Sequence, residues 1–187
     1  MLALNKQLQV RIKALPTLKN KESALRVEVK KARDYAAELE AHIKFKEEEV
    51  AKLMRLWNEF NPELIVIKEV HIDSKKIAGV KIPVLTGIDY QIRDFVMFNA
   101  PNWYLDGIAV LKEVSNLKIE RQFYLRKMHI LDRIRKKTTQ KVNLYEKVQI
   151  PAYEDAILKI KRFLEDEENL SKSGQKILKK RMQEATV

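Results

Sequence analysis

The sequence predicts an all-α-dominated fold, a long antiparallel and left-handed two-helix coiled coil with a short β-hairpin insert at its closed end. Apolar residues alternate at spacings of three and four in both terminal stretches, which is typical of coiled coils. β-branched residues concentrate between these stretches, as expected of strands. The 187 residues include only 4 Gly and 5 Pro, too few turn residues for an all-β sandwich.

The first stretch, residues 1–61, predicts one helix. Proline has no backbone N–H, so we expect Pro16 to kink it. Asn61 should end it, because a residue before proline is disfavoured in the α region. The predicted seam positions on this helix are Leu25, Val29, Ala36, Leu39, Ile43, Val50, Leu53 and Trp57.

The middle stretch, residues 62–104, predicts the hairpin and its irregular flanks. Its strands are expected at Ile65–Ile72 and Ile77–Val84, where β-branched residues dominate. The polar residues Asp73–Lys76 between them indicate the turn. Pro83 should place the second strand at a sheet edge or end it.

The third stretch, residues 105–187, predicts a second coiled-coil helix that ends in a basic tail, and all three stretches are expected to form one elongated domain. Pro151 should kink this helix. The predicted seam positions are Val110, Val114, Leu117, Tyr124, Met128, Leu131 and Val142, and the period continues through Ala152, Ala156, Ile160 and Phe163.

Charge favours an antiparallel pairing of the two helices. Residues 34–49 hold six acidic and two basic residues, whereas residues 118–141 hold nine basic and two acidic residues. Heptads can be aligned in several registers, so we choose the one that sets the two prolines at the same height. In that register Leu25 lies level with Val142, and Trp57 with Val110.

Several kinds of chemistry are excluded or disfavoured. The chain has no Cys, which excludes disulfides and cysteine-ligated metals. No glycine-rich phosphate loop occurs, and the three His are far apart in sequence. We therefore expect no catalytic residue, no metal, no cofactor and no direct nucleotide contact. No run of about eighteen apolar residues is present, so no transmembrane segment is predicted.

The formal net charge of +11 leaves two alternatives open beside a protein-binding role in a larger machine. One is a nucleic-acid-binding arm that holds a phosphate backbone by charge alone. Its candidate residues are Arg133, Arg135, Lys136, Lys137 and Lys141. The arm would lack the interleaved aromatic residues that stack on bases. The other is a generic cytoskeletal or adaptor coiled coil, which gives no reason for the hairpin.

Three stretches resemble the D subunit of the V-type rotary ATPases. Residues 18–25, Leu-Lys-Asn-Lys-Glu-Ser-Ala-Leu, are similar to a segment of that family's first helix. Residues 77–83, Ile-Ala-Gly-Val-Lys-Ile-Pro, are similar to its hairpin segment. Residues 139–151, which end in Gln-Ile-Pro, are similar to a segment of its last helix, and residues 155–168 continue the likeness.

The resemblance implies a non-catalytic central rotor shaft in a cytoplasmic complex that is peripheral to the membrane. The shaft would turn inside a hexamer of A and B subunits and couple ATP hydrolysis or synthesis to proton or sodium transport. The implied partners are those subunits, the F subunit of the central stalk and the membrane-side socket subunit (C/d), without nucleic acid. The expected partner-binding residues are Ile77, Gly79, Val80, Lys81, Pro83, Trp103, Lys176, Lys179, Lys180 and Arg181. Phe98, in the poorly periodic insert, is a further candidate for a partner contact.

Overall fold

The computed structural model describes residues 1–52, 57, 60–94, 101 and 103–185. Two long helical arms flank a β-hairpin, so the predicted fold class is confirmed. The helices are α1 (Leu2–Ala51), α2 (Tyr104–Leu144) and α3 (Ile150–Ala185), and a π-helical turn at Tyr145–Gln149 joins the last two. The strands are β1 (Ile65–Ile77) and β2 (Val80–Ile92), preceded by a 3₁₀ turn at Pro62–Leu64.

The chain forms two compact units. The hairpin unit is Lys21–Lys137, and the terminal unit combines Met1–Asn20 with Thr138–Val187. The predicted division at residues 61 and 104 stays a prediction. Within the described residues, none of the helices combines the length and the hydropathy needed to span a lipid bilayer.

Asn61 precedes the 3₁₀ turn that leads into β1. Its backbone is extended, with φ −81° and ψ 109°, as expected of a residue before proline. Its side-chain oxygen accepts a hydrogen bond from the backbone N–H of Glu63, which caps the 3₁₀ turn. The described part of α1 ends at Ala51, so the predicted end of the helix at Asn61 stays a prediction, and β1 begins at Ile65, directly after the capped turn.

The two helices of the hairpin unit are antiparallel, in the orientation that the charge pattern predicts. Lys118 bonds to Glu47 at 2.6 Å, and Arg121 pairs with Glu40 further along. These side chains are all at least a third exposed, so each pair contributes only a few tenths of a kcal/mol. They select the orientation more than they stabilise the unit.

The predicted register of the two helices is wrong by about one heptad. The ring of Tyr124 lies 4.4 Å from that of Tyr35, measured between centroids, whereas the prediction set it level with Ile43. Leu25 shares a buried cluster with Leu131 rather than lying opposite Val142. A heptad pattern looks the same after a shift of seven residues, so the seam alone does not fix the register.

The hairpin differs from the prediction in its length and in the position of its turn. Each strand has 13 residues, and Ile77 pairs with Val80, so the turn is Ala78-Gly79 and the polar residues 73–76 lie inside β1. Those residues are exposed because β1 has few neighbours besides β2. Their polar side chains are therefore explained by contact with solvent and do not indicate a turn. Pro83 lies within β2, opposite Ser74, as an edge strand allows.

Burial along the start of α3 agrees with the predicted pattern at two of its four positions. Ala156 and Ile160 are half-buried, whereas Ala152 is exposed and Phe163 is 67% exposed. Tyr153 and Ile157 are half-buried beside them, and residues 161–182 are all exposed, so the covered part of the helix ends at Ile160. In the π turn before α3, the N–H of Ile150 donates to the carbonyl of Tyr145, and Pro151 next to it supplies no N–H.

Most of the predicted seam residues of α1 are fully buried, and those of α2 are mainly half-buried. Leu25 and Leu131 have no exposed surface. The other buried seam residues are Val29, Ala36, Leu39, Ile43 and Val142; the half-buried ones are Val50, Trp57, Val110, Val114, Leu117, Tyr124 and Met128. The predicted seam position Leu53 lies outside the described residues.

Replacing Leu131 by Ala is expected to destabilise the protein by about 2–5 kcal/mol, because it opens a cavity in a fully buried cluster. Urea denaturation followed by circular dichroism measures the loss. Leu158→Ala is the matched control, since that side chain is 46% exposed and its truncation should cost less than about 1 kcal/mol. Equal losses for the two variants would contradict the assigned core.

Candidate functional site

The tip of the hairpin folds back onto the helices and forms the core of the hairpin unit. Val80 and Ile82 are buried against Leu25, Val29 and Leu131, and Ile82 is 1% exposed. Ile77, Met128, Ile130 and Ile134 pack around this cluster. The motif that carried the family resemblance in the middle of the chain is therefore largely a structural anchor.

The turn at the tip has left-handed backbone conformation at both of its residues. Ala78 has φ 49° and Gly79 has φ 77°, the geometry of the two-residue turn that matches strand twist. A Cβ added to Gly79 would lie 3.7 Å from the ammonium nitrogen of Lys21, which is ordinary contact. Glycine is favoured here by its backbone conformation and not by lack of space.

A second anchor holds β2 along α2. The hydroxyl of Tyr90 donates a hydrogen bond to the side-chain oxygen of Asn116 at 2.7 Å. Nearer the tip, β2 and α2 border a shallow groove of about 410 Å³ that Leu85, Phe123 and Tyr124 help to line. With the tip cluster at one end and Tyr90 at the other, the hairpin is fixed along much of its length.

Aromatic side chains fill the junction where the hairpin meets the helices. Phe60, Leu64 and Ile108 are buried there, and Trp57 and Trp103 pack against them. The rings of Trp57 and Trp103 meet edge to face, with centroids 5.5 Å apart. A Cβ on Gly107 would lie 3.0 Å from the Trp103 ring, so an alanine at this position would have to displace the ring by a few tenths of an ångström. Trp103, expected to bind a partner, is half-buried in this cluster.

Two charged side chains meet on the exposed face of the hairpin. The Nε2 atom of His71 lies 2.9 Å from a carboxylate oxygen of Asp89. The hydrogen bond and the charge of Asp89 raise the pKa of His71 above its ordinary value, and the charge of Glu69 adds to the rise. Sequence reasoning did not anticipate this pairing, because it depends on strand register.

The terminal unit has a network of polar side chains at the π-helical turn. The Arg11 guanidinium donates to the side-chain oxygen of Gln149 at 2.6 Å and lies over the ring of Tyr153. The hydroxyl of Tyr153 in turn donates to the side chain of Gln7. Sequence reasoning missed this network, because its members come from two helices that are far apart in the sequence.

The basic tail at the end of α3 is exposed. Lys176, Lys179, Lys180 and Arg181 all lie on exposed positions of the helix. Apolar side chains are exposed beside them, among them Ile177, which is 57% exposed, and Leu178. The tail thus offers cations and apolar surface together, a combination that suits contact with another protein.

Within the hairpin unit, the predicted partner-binding residues lie at two places, the residues of the tip near the Leu25 cluster and Trp103 in the aromatic junction. In the hairpin, Lys81 is exposed, Ile77 and Pro83 are half-buried, and Val80 is buried. Gly79 lies in the exposed turn. Phe98, also considered as a partner contact, lies outside the described residues. Their partners stay predictions.

Residues 1–180 match the family model of the ATP synthase D subunit. The chain is 34% identical over 169 residues to a V-type ATP synthase D subunit from Borreliella burgdorferi, covering 88% of this chain and 83% of that protein. It is 29% identical over 175 residues to the protein of the same name from Chlamydia muridarum, covering 91% and 86%. A Chlamydia trachomatis protein of that name is 27% identical over the same length, with the same coverage.

Replacing Gly79 by Ala is expected to destabilise the protein by about 1–2 kcal/mol, because an alanine resists positive φ. Gly174→Ala is a control with the opposite expected sign, since Gly174 lies in helix α3 with no neighbour within 4 Å of an added Cβ. That change should stabilise by about 0.5–1 kcal/mol. Thermal and urea unfolding of both variants would test the assignment, and destabilisation by both would contradict it.

The His71–Asp89 pair should make stability depend on pH. Because the pKa of His71 is raised in the folded protein, the stabilisation is fully present below about pH 6.5 and disappears as pH rises through the raised value. An NMR titration of the His71 ring in a chelating buffer should give a midpoint above about 6.5. The midpoint should fall in Asp89→Asn, and an unchanged midpoint would contradict the pairing.

Proposed function

Because this chain belongs to the family of ATP synthase D subunits, we propose that it is the non-catalytic central rotor shaft of a V-type ATPase. It would couple ATP hydrolysis or synthesis in a hexamer of A and B subunits to ion transport through a membrane ring. The contributions of this chain would be mechanical, and the chemistry would lie in the hexamer.

The antiparallel pairing of two long helices is the observation that carries this proposal. Helix α1 has 50 residues, roughly 75 Å at about 1.5 Å per residue. Ion pairs such as Lys118–Glu47 and Lys46–Glu113 link α1 to α2 within the hairpin unit. Paired helices resist bending and twisting better than single ones, as a transmitter of torque requires.

We propose that the exposed tail of α3 contacts the A and B subunits. A rotating bearing needs attraction without one locked position, because deep interlocking would stop rotation. Exposed ammonium and guanidinium groups meet that need, since exposed ion pairs are weak and re-form at a new angle. Lys176, Lys179, Lys180 and Arg181 would supply them, and Ile177 and Leu178 would add apolar contact.

The hairpin unit would carry the contacts nearer the membrane. We assign to its surface, including Lys81 and the junction around Trp103, the binding of the F subunit and of the membrane-side socket subunit. The complex would be peripheral to the membrane on its cytoplasmic side. No direct contact with nucleotide or nucleic acid is proposed.

Native mass spectrometry of the chain with A and B subunits from its own source tests this function. We expect one copy per three A and three B subunits, and a longer-lived hexamer. Failure to associate at low or moderate salt would contradict the proposal. Salt-dependent binding to RNA under the same conditions would favour the nucleic-acid-binding arm instead.

Neutralising the tail by changing Lys176, Lys179, Lys180 and Arg181 to Gln should weaken association with the hexamer about tenfold at low salt. Four exposed cations at a few tenths of a kcal/mol each account for that loss. The difference should shrink at high salt as screening increases.

The matched control changes four exposed cations outside the tail, with the same loss of charge. The chosen residues are all exposed: Lys30, Arg33, Lys44 and Arg126. Equal weakening by both sets would mean that total charge, and not the tail, drives association.

A further inference from the structure

Three possible metal-binding side chains meet on the outer face of the hairpin. Glu69, His71 and Asp89 each offer one donor atom, and these atoms all lie within 4.8 Å of one another. All three side chains are exposed. Val70, Ile88 and Tyr90, their neighbours in sequence, are half-buried on the face that turns towards the helices. The donors are thus separated from the packing face and open to ions in solution.

A β-bulge creates this arrangement. The strand register shifts between Ile67 and Glu69, so that Glu69 lies directly opposite Asp89. In an unbroken register Lys68 would take that place and form a favourable pair with Asp89. The bulge therefore exchanges an attractive cross-strand pair for two like charges, which are destabilising when directly opposed. A cation between the two carboxylates would remove that penalty.

The imidazole of His71 joins the two carboxylates by lying over Gly87. His71 lies opposite Gly87 in the strand pairing. A Cβ built on Gly87 would lie 3.6 Å from the ring, which is an ordinary van der Waals contact, so the placement of the ring does not depend on the glycine. The Nε2 atom of His71 lies 2.9 Å from a carboxylate oxygen of Asp89. The third donor is a nitrogen, which distinguishes this cluster from an ordinary group of surface acids.

We propose that Glu69, His71 and Asp89 bind a divalent first-row transition-metal ion, with zinc as the representative, and that the ion links β1 to β2. Imidazole nitrogen and carboxylate oxygen are both zinc ligands, whereas Mg²⁺ and Ca²⁺ prefer oxygen donors alone. Bond lengths of about 2.0–2.2 Å place the donors about 3–4 Å apart. Small rotations of the exposed side chains reach that spacing. Water would complete the coordination.

Such an ion would act on the part of the hairpin that packing supports least. A two-stranded ribbon is marginally stable by itself. Of its two strands, β1 is exposed at most positions and has no buried residue. The metal ion would bind Glu69 and His71 on β1 and Asp89 on β2. It would thereby hold β1 to β2, the strand that packs against the helices.

Isothermal titration of the full chain with zinc chloride, in a non-chelating buffer at about pH 7.5, tests the proposal. We expect one ion per chain. His71→Gln and Asp89→Asn should each weaken the affinity by at least about tenfold. Magnesium chloride in place of zinc should give no saturable binding. Cobalt should bind in the same ratio and give a visible absorption spectrum that His71→Gln abolishes.

The control variant changes both remaining histidines, His42 and His129, to Gln. Both are exposed and lie outside the cluster. Zinc binding should be unchanged in this variant. Binding that survives His71→Gln, or that disappears with His42 and His129, would overturn the proposal, as would no binding up to about 1 mM zinc. Far-UV circular dichroism of each variant establishes that it is folded.

Discussion

Burial of Val80 and Ile82 between the two helices is the contact on which the rest of the hairpin unit depends. Their side chains occupy the core that Leu25 and Leu131 line. The hairpin must be long enough to return to this point, which accounts for strands of 13 residues. It must also reverse in two residues at its tip, which requires positive φ at Gly79. The same docking leaves the outer face of β1 in solvent.

The sequence predicted those features that depend on local pattern. Helices, hairpin and antiparallel orientation follow from periodicity, β-branching and charge, each of which can be read within a short window. The register of the helices could not be predicted, because a heptad repeat is unchanged by a shift of seven residues. Only contacts distant in sequence, such as the ring pair Tyr35–Tyr124, distinguish the alternatives.

The turn of the hairpin and the charged cluster on its surface could not be predicted from the sequence either. Residues 73–76 are polar because this part of β1 is exposed to solvent. Their composition is therefore the same as that of a turn, and the sequence alone does not distinguish the two. Ala78 sits at positive φ without being a residue that favours it. The meeting of Glu69 with Asp89 depends on a one-residue bulge, which shifts the strand pairing by one in a way that a regular period of two does not anticipate.

The docked hairpin also gives the hairpin unit a mechanical property. A beam resists bending according to how far its material lies from the central axis, and two helices side by side are weak in the direction normal to their common plane. A strand pair fixed against them by Ile82 at one end and Tyr90 at the other adds a third member to the two helices. The terminal unit has no described strand, and both Pro16 and Pro151 interrupt its backbone hydrogen bonding. The hairpin thus braces the helices that it packs against, and the hairpin unit should resist bending more than the terminal unit does, each taken by itself.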